Sequence, residues 1–175
     1  AILLKAAAGE PLTLEEQTRR DILARSYRGR YREGEELLAR IDVIPPSLAV
    51  AQSILATGWG SAEGLMERNA IFGGASGTRY DTILEAARHH ADYLNSHPEF
   101  AEFRRARAGM RIDGEEIDAT ALAATLGPFV GGDAEGYVEN LQTLIAARQL
   151  TDFDGAAPAP EAAPEGAGIP GGNQD

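Results

Sequence analysis

The sequence predicts a mainly α-helical domain, on three observations. Helix-start signatures recur along the chain, apolar residues repeat at helical spacing behind them, and strand signal is nearly absent. Thr13 with Glu16, and Thr82 with Glu85, have the spacing of a capping box, in which a hydroxyl and a carboxylate each satisfy an unpaired backbone N–H. Pro45-Pro46 and Pro98 mark further starts, because a proline in the first turn removes an N–H that would have no partner anyway.

The elements follow in order. The first helix runs from the Thr13 cap to about Tyr27, with Leu14, Ile22 and Leu23 as its apolar stripe. A short segment spans 35–40. The helix over 46–57 carries Leu48, Val50, Ala51, Ile54 and Leu55, whose apolar residues face more than one side, so it is expected to be central and buried. Gly58-Trp59-Gly60 ends it. A short helix over 62–68 precedes Asn69-Ala70-Ile71-Phe72-Gly73, and the composition of 73–77 reads as a flexible loop. Helices are then expected over about 82–94, 98–109, 120–126 and 134–147, the last with Tyr137, Leu141, Leu144 and Ile145 at core spacing. Ile41–Ile44 and Met110–Ile112 are the candidates for short extended pieces.

One domain is expected over 1–154. From Gly155 to Asp175 the chain holds four of its nine prolines, five glycines and no aromatic residue. Such a segment buries too little apolar area to offset its ordering entropy, which predicts a disordered tail or linker.

Composition narrows the function. With 27 acidic against 16 basic residues the net charge is −11. Nucleic-acid affinity rests largely on Lys and Arg neutralising phosphates, so a nucleic-acid partner is not expected, nor is an anionic membrane surface. There is no cysteine, which removes disulfides, thiol catalysis and Cys-bound zinc. His89, His90 and His97 lack the i, i+4 spacing of a zinc helix, and no metal or cofactor is expected. No apolar run is long enough to span a bilayer. Residues 1–14 lack the basic-then-apolar order of a secretory signal, so an exported protein would carry that signal elsewhere.

Three segments then stand out: Ile44-Pro45-Pro46-Ser47-Leu48-Ala49-Val50-Ala51-Gln52 continuing to Thr57-Gly58-Trp59-Gly60; Asn69-Ala70-Ile71-Phe72-Gly73; and Tyr93-Leu94-Asn95-Ser96-His97-Pro98 with Phe103-Arg104 and Arg107. A weaker one runs from Gly136-Tyr137-Val138 to Leu144-Ile145. In this order they resemble the Bax-type bacterial peptidoglycan glucosaminidases and their flagellar and autolysin relatives, over about residues 41–150. The resemblance implies a lysozyme-like helical fold with a glycan groove, and hydrolysis of the β-1,4 bond after N-acetylglucosamine. It implies a general acid at the end of the central helix, in a Glu-Ser-Gly-Trp-Gly pattern. Here that pattern reads Ala56-Thr57-Gly58-Trp59-Gly60, so the position of the acid holds a methyl group. Glycoside cleavage needs a proton donor beside the leaving oxygen, and alanine keeps the helix while removing the donor. Two further departures point the same way. Relatives carry a longer, partly β segment where this chain has the short stretch 73–78, and a Tyr-Ser pair where it has Phe129-Val130.

Each candidate residue has a structural reading beside the functional one. Trp59, Asn69, Phe72 and Tyr137 fall where the resemblance implies substrate contact. Trp59 and Tyr137 also read as packed aromatics, and Asn69 as a turn former. Glu63 and Glu67 are candidate substitute acids, although two carboxylates four apart on a short helix ordinarily form a solvated face. Asn95 and His97 read as braces of a helix junction, and Arg104, Arg105, Arg107 and Arg111 as intramolecular partners. Three functions are therefore weighed. One is a glucosaminidase-fold protein of the periplasm or cell envelope that has lost catalysis and binds a peptidoglycan glycan strand, or acts as a scaffold for a cell-envelope protein. The second is an active or parent-active peptidoglycan hydrolase. The third is a protein-interaction module without a glycan role.

Overall fold

The computed structural model describes residues 2–26 and 34–155. They form nine α-helices: α1 (Ile2–Ala7), α2 (Leu14–Ser26), α3 (Gly34–Arg40), α4 (Pro46–Thr57), α5 (Glu63–Met66), α6 (Ile83–Ser96), α7 (Ala101–Ile112), α8 (Ala119–Ala123) and α9 (Ala134–Ala147). Tight 3₁₀ turns occupy Pro98–Phe100, Gly127–Phe129 and Leu150–Phe153. There is no strand among the described residues, and the mainly helical class holds. The reading of 155–175 as a tail lies, Gly155 apart, outside them.

The cap signatures act as read. The Thr13 amide donates to the Glu16 carboxylate at 2.9 Å and the Glu16 amide to the Thr13 hydroxyl at 3.2 Å. At α6 the Glu85 amide donates to the Thr82 hydroxyl, while the Glu85 carboxylate reaches one residue further back, to the Asp81 amide at 2.8 Å.

Helix α4 packs against α8, α9 and the 150–153 turn, with Leu48 and Ala51 fully buried. Phe100 and Phe103 from the α6–α7 corner, Leu94, Leu122, Leu126, Leu141 and Ile145 close the core around it. Pro45 supplies no side-chain cap to α4. Asp154 does so from across the chain, accepting from the Ser47 amide at 2.8 Å and the Ser47 hydroxyl at 2.7 Å. A carboxylate at a helix N-terminus satisfies a free N–H and opposes the helix dipole, so one residue contributes twice.

The α6–α7 corner is braced by arginines. Arg107, fully buried, donates to the Val43 and Ala39 carbonyls at 2.9 and 2.8 Å and to Asn95 Oδ1 at 2.6 Å. Arg104 donates to the Leu94 and His97 carbonyls, and Arg111 pairs with Asp42 at 2.9 Å. Asn95 Nδ2 completes the joint by donating to the Asp42 carbonyl.

Four expectations are corrected. Met110–Ile112 is the last turn of α7, because Phe103, Arg107 and Met110 continue one helical face onto the core. Ile41–Ile44 is irregular chain held by the Asn95 and Arg107 donors just described, with no strand to pair with. The stripe of α2 is mostly outside: Leu14 and Ile22 are exposed, and of the α2 side chains described only Ala24 is buried. On α4 one side is buried, and Val50 and Leu55 face outward.

Candidate functional site

The end of α4 is set by a left-handed turn. Gly58, Trp59 and Gly60 have φ of 55°, 61° and 77°. Glycine adopts this region freely, whereas a side chain there costs ~1–2 kcal/mol. The surroundings hold Trp59 in place: its amide donates to the Ile54 carbonyl, the Gly60 amide to the Thr57 hydroxyl, and that hydroxyl to the Ser53 carbonyl at 2.7 Å. Trp59 is 61% exposed, with the Arg148 guanidinium 4.9 Å from its ring centroid.

Ala56 sits two residues before Gly58, in the last turn of α4, and a Cβ built on Gly73 would lie 4.0 Å from the Ala56 methyl. The segment after Phe72 thus closes directly onto the end of the central helix. It is a tight turn, with Gly73, Gly74 and Gly77 all at positive φ. A Cβ on Gly74 would approach the Thr78 side chain to 2.9 Å, so glycine is required there. Asn69, itself at φ 52°, anchors the base of the turn by donating to the Tyr80 and Asp81 carbonyls.

Beside it lies a cavity of about 330 Å³, lined by the 72–80 segment, by Ala86, His89, His90 and Tyr93 of α6, and by Phe129. Its wall is aromatic. Phe72 stacks on His90 with centroids 3.9 Å apart and planes within 3°, Phe129 meets His90 edge-on, and Tyr137 stacks on the far side of Phe129. No Asp or Glu lines it.

A buried polar chain runs behind the wall, one turn of α4 before Ala56. His90 Nε2 lies 3.0 Å from Gln52 Oε1, and Gln52 Nε2 donates to the Tyr137 hydroxyl at 3.0 Å. A carbonyl oxygen only accepts, so His90 carries its proton on Nε2. Burial disfavours the imidazolium, with the neighbouring His89 adding to the effect, and lowers the His90 pKa to about 4. Burial pushes the Tyr137 phenol up to about 12 against the opposing effect of its Gln52 bond. Both groups are neutral near pH 7. At the mouth, the Tyr80 hydroxyl and His89 Nδ1 are 2.9 Å apart.

The structure places Phe72 on the cavity wall and Tyr137 behind it, whereas Ala56 is outside the lining and adjoins it through Gly73. It places Asn69 at the base of the turn. Trp59 is not among the lining residues, and Glu63 and Glu67 are exposed and also outside the lining. Sequence reasoning missed Gln52 and His90. Gln52 did carry a signal, being a polar residue amid the apolar positions of the central helix. His90 carried none beyond its place on α6. Among the described residues, no group of three or more His, Asp or Glu could hold a metal ion, and no helix is long and apolar enough to cross a membrane.

The glucosaminidase family, described as mannosyl-glycoprotein endo-beta-N-acetylglucosaminidase, matches residues 33–150. The chain belongs to this family. The match runs from the start of α3 to the final turn, and so takes in Ala56, the 72–80 segment and Tyr137. A curated relative, Protein bax of Escherichia coli (strain K12), is 28% identical over 131 residues, covering 63% of this chain and 48% of the relative. The chain therefore spans about half the length of that protein. No solved structure matches. The all-helical architecture is in keeping with the lysozyme-like class expected of such a domain.

Proposed function

We propose that this chain is a glucosaminidase-fold domain of the cell envelope that binds the peptidoglycan glycan strand without cleaving it. The observation that carries the reading is the absence of any carboxyl group from the wall of the cavity beside Ala56. Glycosidases of this kind work with a pair of carboxyl groups flanking the scissile bond, one of them a proton donor with a raised pKa. Here the donor position holds a methyl group. Of the polar groups nearby, His90 and Tyr137 are neutral and bonded to Gln52.

Incubation with peptidoglycan is expected to release no reducing ends above buffer, while the protein co-sediments with the insoluble polymer. Turnover that disappears in Glu63→Ala or Glu67→Ala would establish a substitute acid and make the chain a hydrolase. Absence of both turnover and co-sedimentation would favour the third reading, an interaction module whose partner is a cell-envelope protein.

A further inference from the structure

The Trp59–Arg148 pair has no part in the cavity and no explanation in packing. Trp59 is the chain's single tryptophan. It is held at φ 61° between two glycines and yet remains 61% exposed. A large ring kept in an unfavourable backbone region, with most of its surface in water, is a feature that points to function. Arg148 lies over that ring, is itself exposed, and pairs with no carboxylate among the described residues.

A guanidinium held over an indole face keeps several N–H donors that do not meet the ring, and a carboxylate can take two of them at once. The exposed indole offers an apolar surface of the kind a pyranose C–H face covers. From this we infer that Trp59 and Arg148 form a subsite for a sugar that carries its own carboxylate. The inference rests on the glycan reading above and names the form of glycan preferred. In peptidoglycan the sugar-borne carboxylate is the lactyl group of N-acetylmuramic acid. It is free only where the amide to the stem peptide has been hydrolysed, water supplying the hydroxyl of the acid and the proton of the released amine. A stem-peptide carboxylate sits at the end of a flexible chain and would have to be ordered to reach Arg148. The short lactyl tether keeps the acid beside the stacked ring. An amidase reaction must therefore supply the preferred ligand.

The single tryptophan makes the test direct. Its fluorescence is followed while the protein is titrated with peptide-free glycan strands, with peptide-bearing strands and with uncharged chitotetraose, and binding is measured in parallel by calorimetry. The expected result is a saturable change with peptide-free strands at least tenfold tighter than with the other two, a ratio within the range of one charge-assisted interaction. Arg148→Gln is expected to erase that preference, bringing peptide-free strands to within about twofold of chitotetraose. Trp59→Asn, which suits positive φ, is expected to weaken both while the helical circular dichroism signal is retained. Equal affinity of wild type and Arg148→Gln for peptide-free strands overturns the inference. So does an unmoved tryptophan signal in a protein that still co-sediments with peptidoglycan, and in that case the glycan-binding reading survives. A wild type that binds none of the three ligands and does not co-sediment removes both.

Discussion

Restoring the carboxyl group by Ala56→Glu is expected to give little or no hydrolysis, and the structure indicates how little. The Ala56 methyl adjoins Gly73, where an added Cβ would lie 4.0 Å away, next to an aromatic cavity with no Lys, Arg, Asp or Glu in its lining. An introduced carboxyl there would be partly desolvated without a cation to hold it ionised, so its pKa would rise, as a proton donor requires. A positioned acid typically contributes ~10²–10⁴-fold, or about 3–5 kcal/mol of barrier. Holding the reacting groups in place can contribute ~7–11 kcal/mol more. The tight 73–78 turn and the carboxylate-free wall provide little means of doing so. The assay is release of reducing ends from peptidoglycan, for Ala56→Glu alone and combined with a longer segment inserted between Gly74 and Thr78. The combined variant is expected to be at least tenfold faster. Equal rates would refute the argument that the short turn disables the site, and would identify the chain as a working hydrolase that lacks only its acid.

Other outcomes follow from the packing. Asp154→Ala removes both bonds to Ser47 and is expected to lower stability by ~1–2 kcal/mol, read by thermal or denaturant melting. Arg107→Met leaves the Val43 and Ala39 carbonyls and Asn95 Oδ1 without that donor in a buried joint, and a loss of ~3 kcal/mol or more is expected in urea unfolding. The depressed pKa of His90 makes stability pH-dependent: the unfolded imidazole binds its proton near 6.5 and the folded one near 4. Stability is then full above pH 6.5 and falls as pH drops toward 4, by roughly 3 kcal/mol. Denaturant midpoints at pH 7 and pH 5 should show the drop in wild type and a flatter profile in His90→Gln.

What could be read in the sequence was mostly local. The Thr13 and Thr82 caps, the proline start of α4 and its glycine stop depend on residues within four positions of one another, and the structure keeps all of them. The missed features depend on distant partners. The cap on Ser47 comes from 107 positions away. Arg107 is buried because carbonyls of a segment more than 60 residues earlier converge on it. The α2 stripe showed the opposite error, since Leu14 and Ile22 have the right spacing but no surface to cover them. At the site, Ala56 was legible because a motif surrounds it. The Gln52–His90–Tyr137 chain joins three helices, and although Gln52 and Tyr137 each carry a local signal, nothing in the sequence links them to each other or to His90.

The bond from Asp154 to Ser47 also bears on where this unit may be cut. The family match stops at residue 150, four residues before the carboxylate that caps the central helix. A fragment trimmed to that homology boundary would keep the motifs around α4, α6 and α9 and lose the cap on the central helix. The same bond brings Asp154 beside the start of α4, joining the ends of a long segment without a covalent link. A fragment ending at 150 should not hold the central helix as firmly, although it contains the whole of the family match.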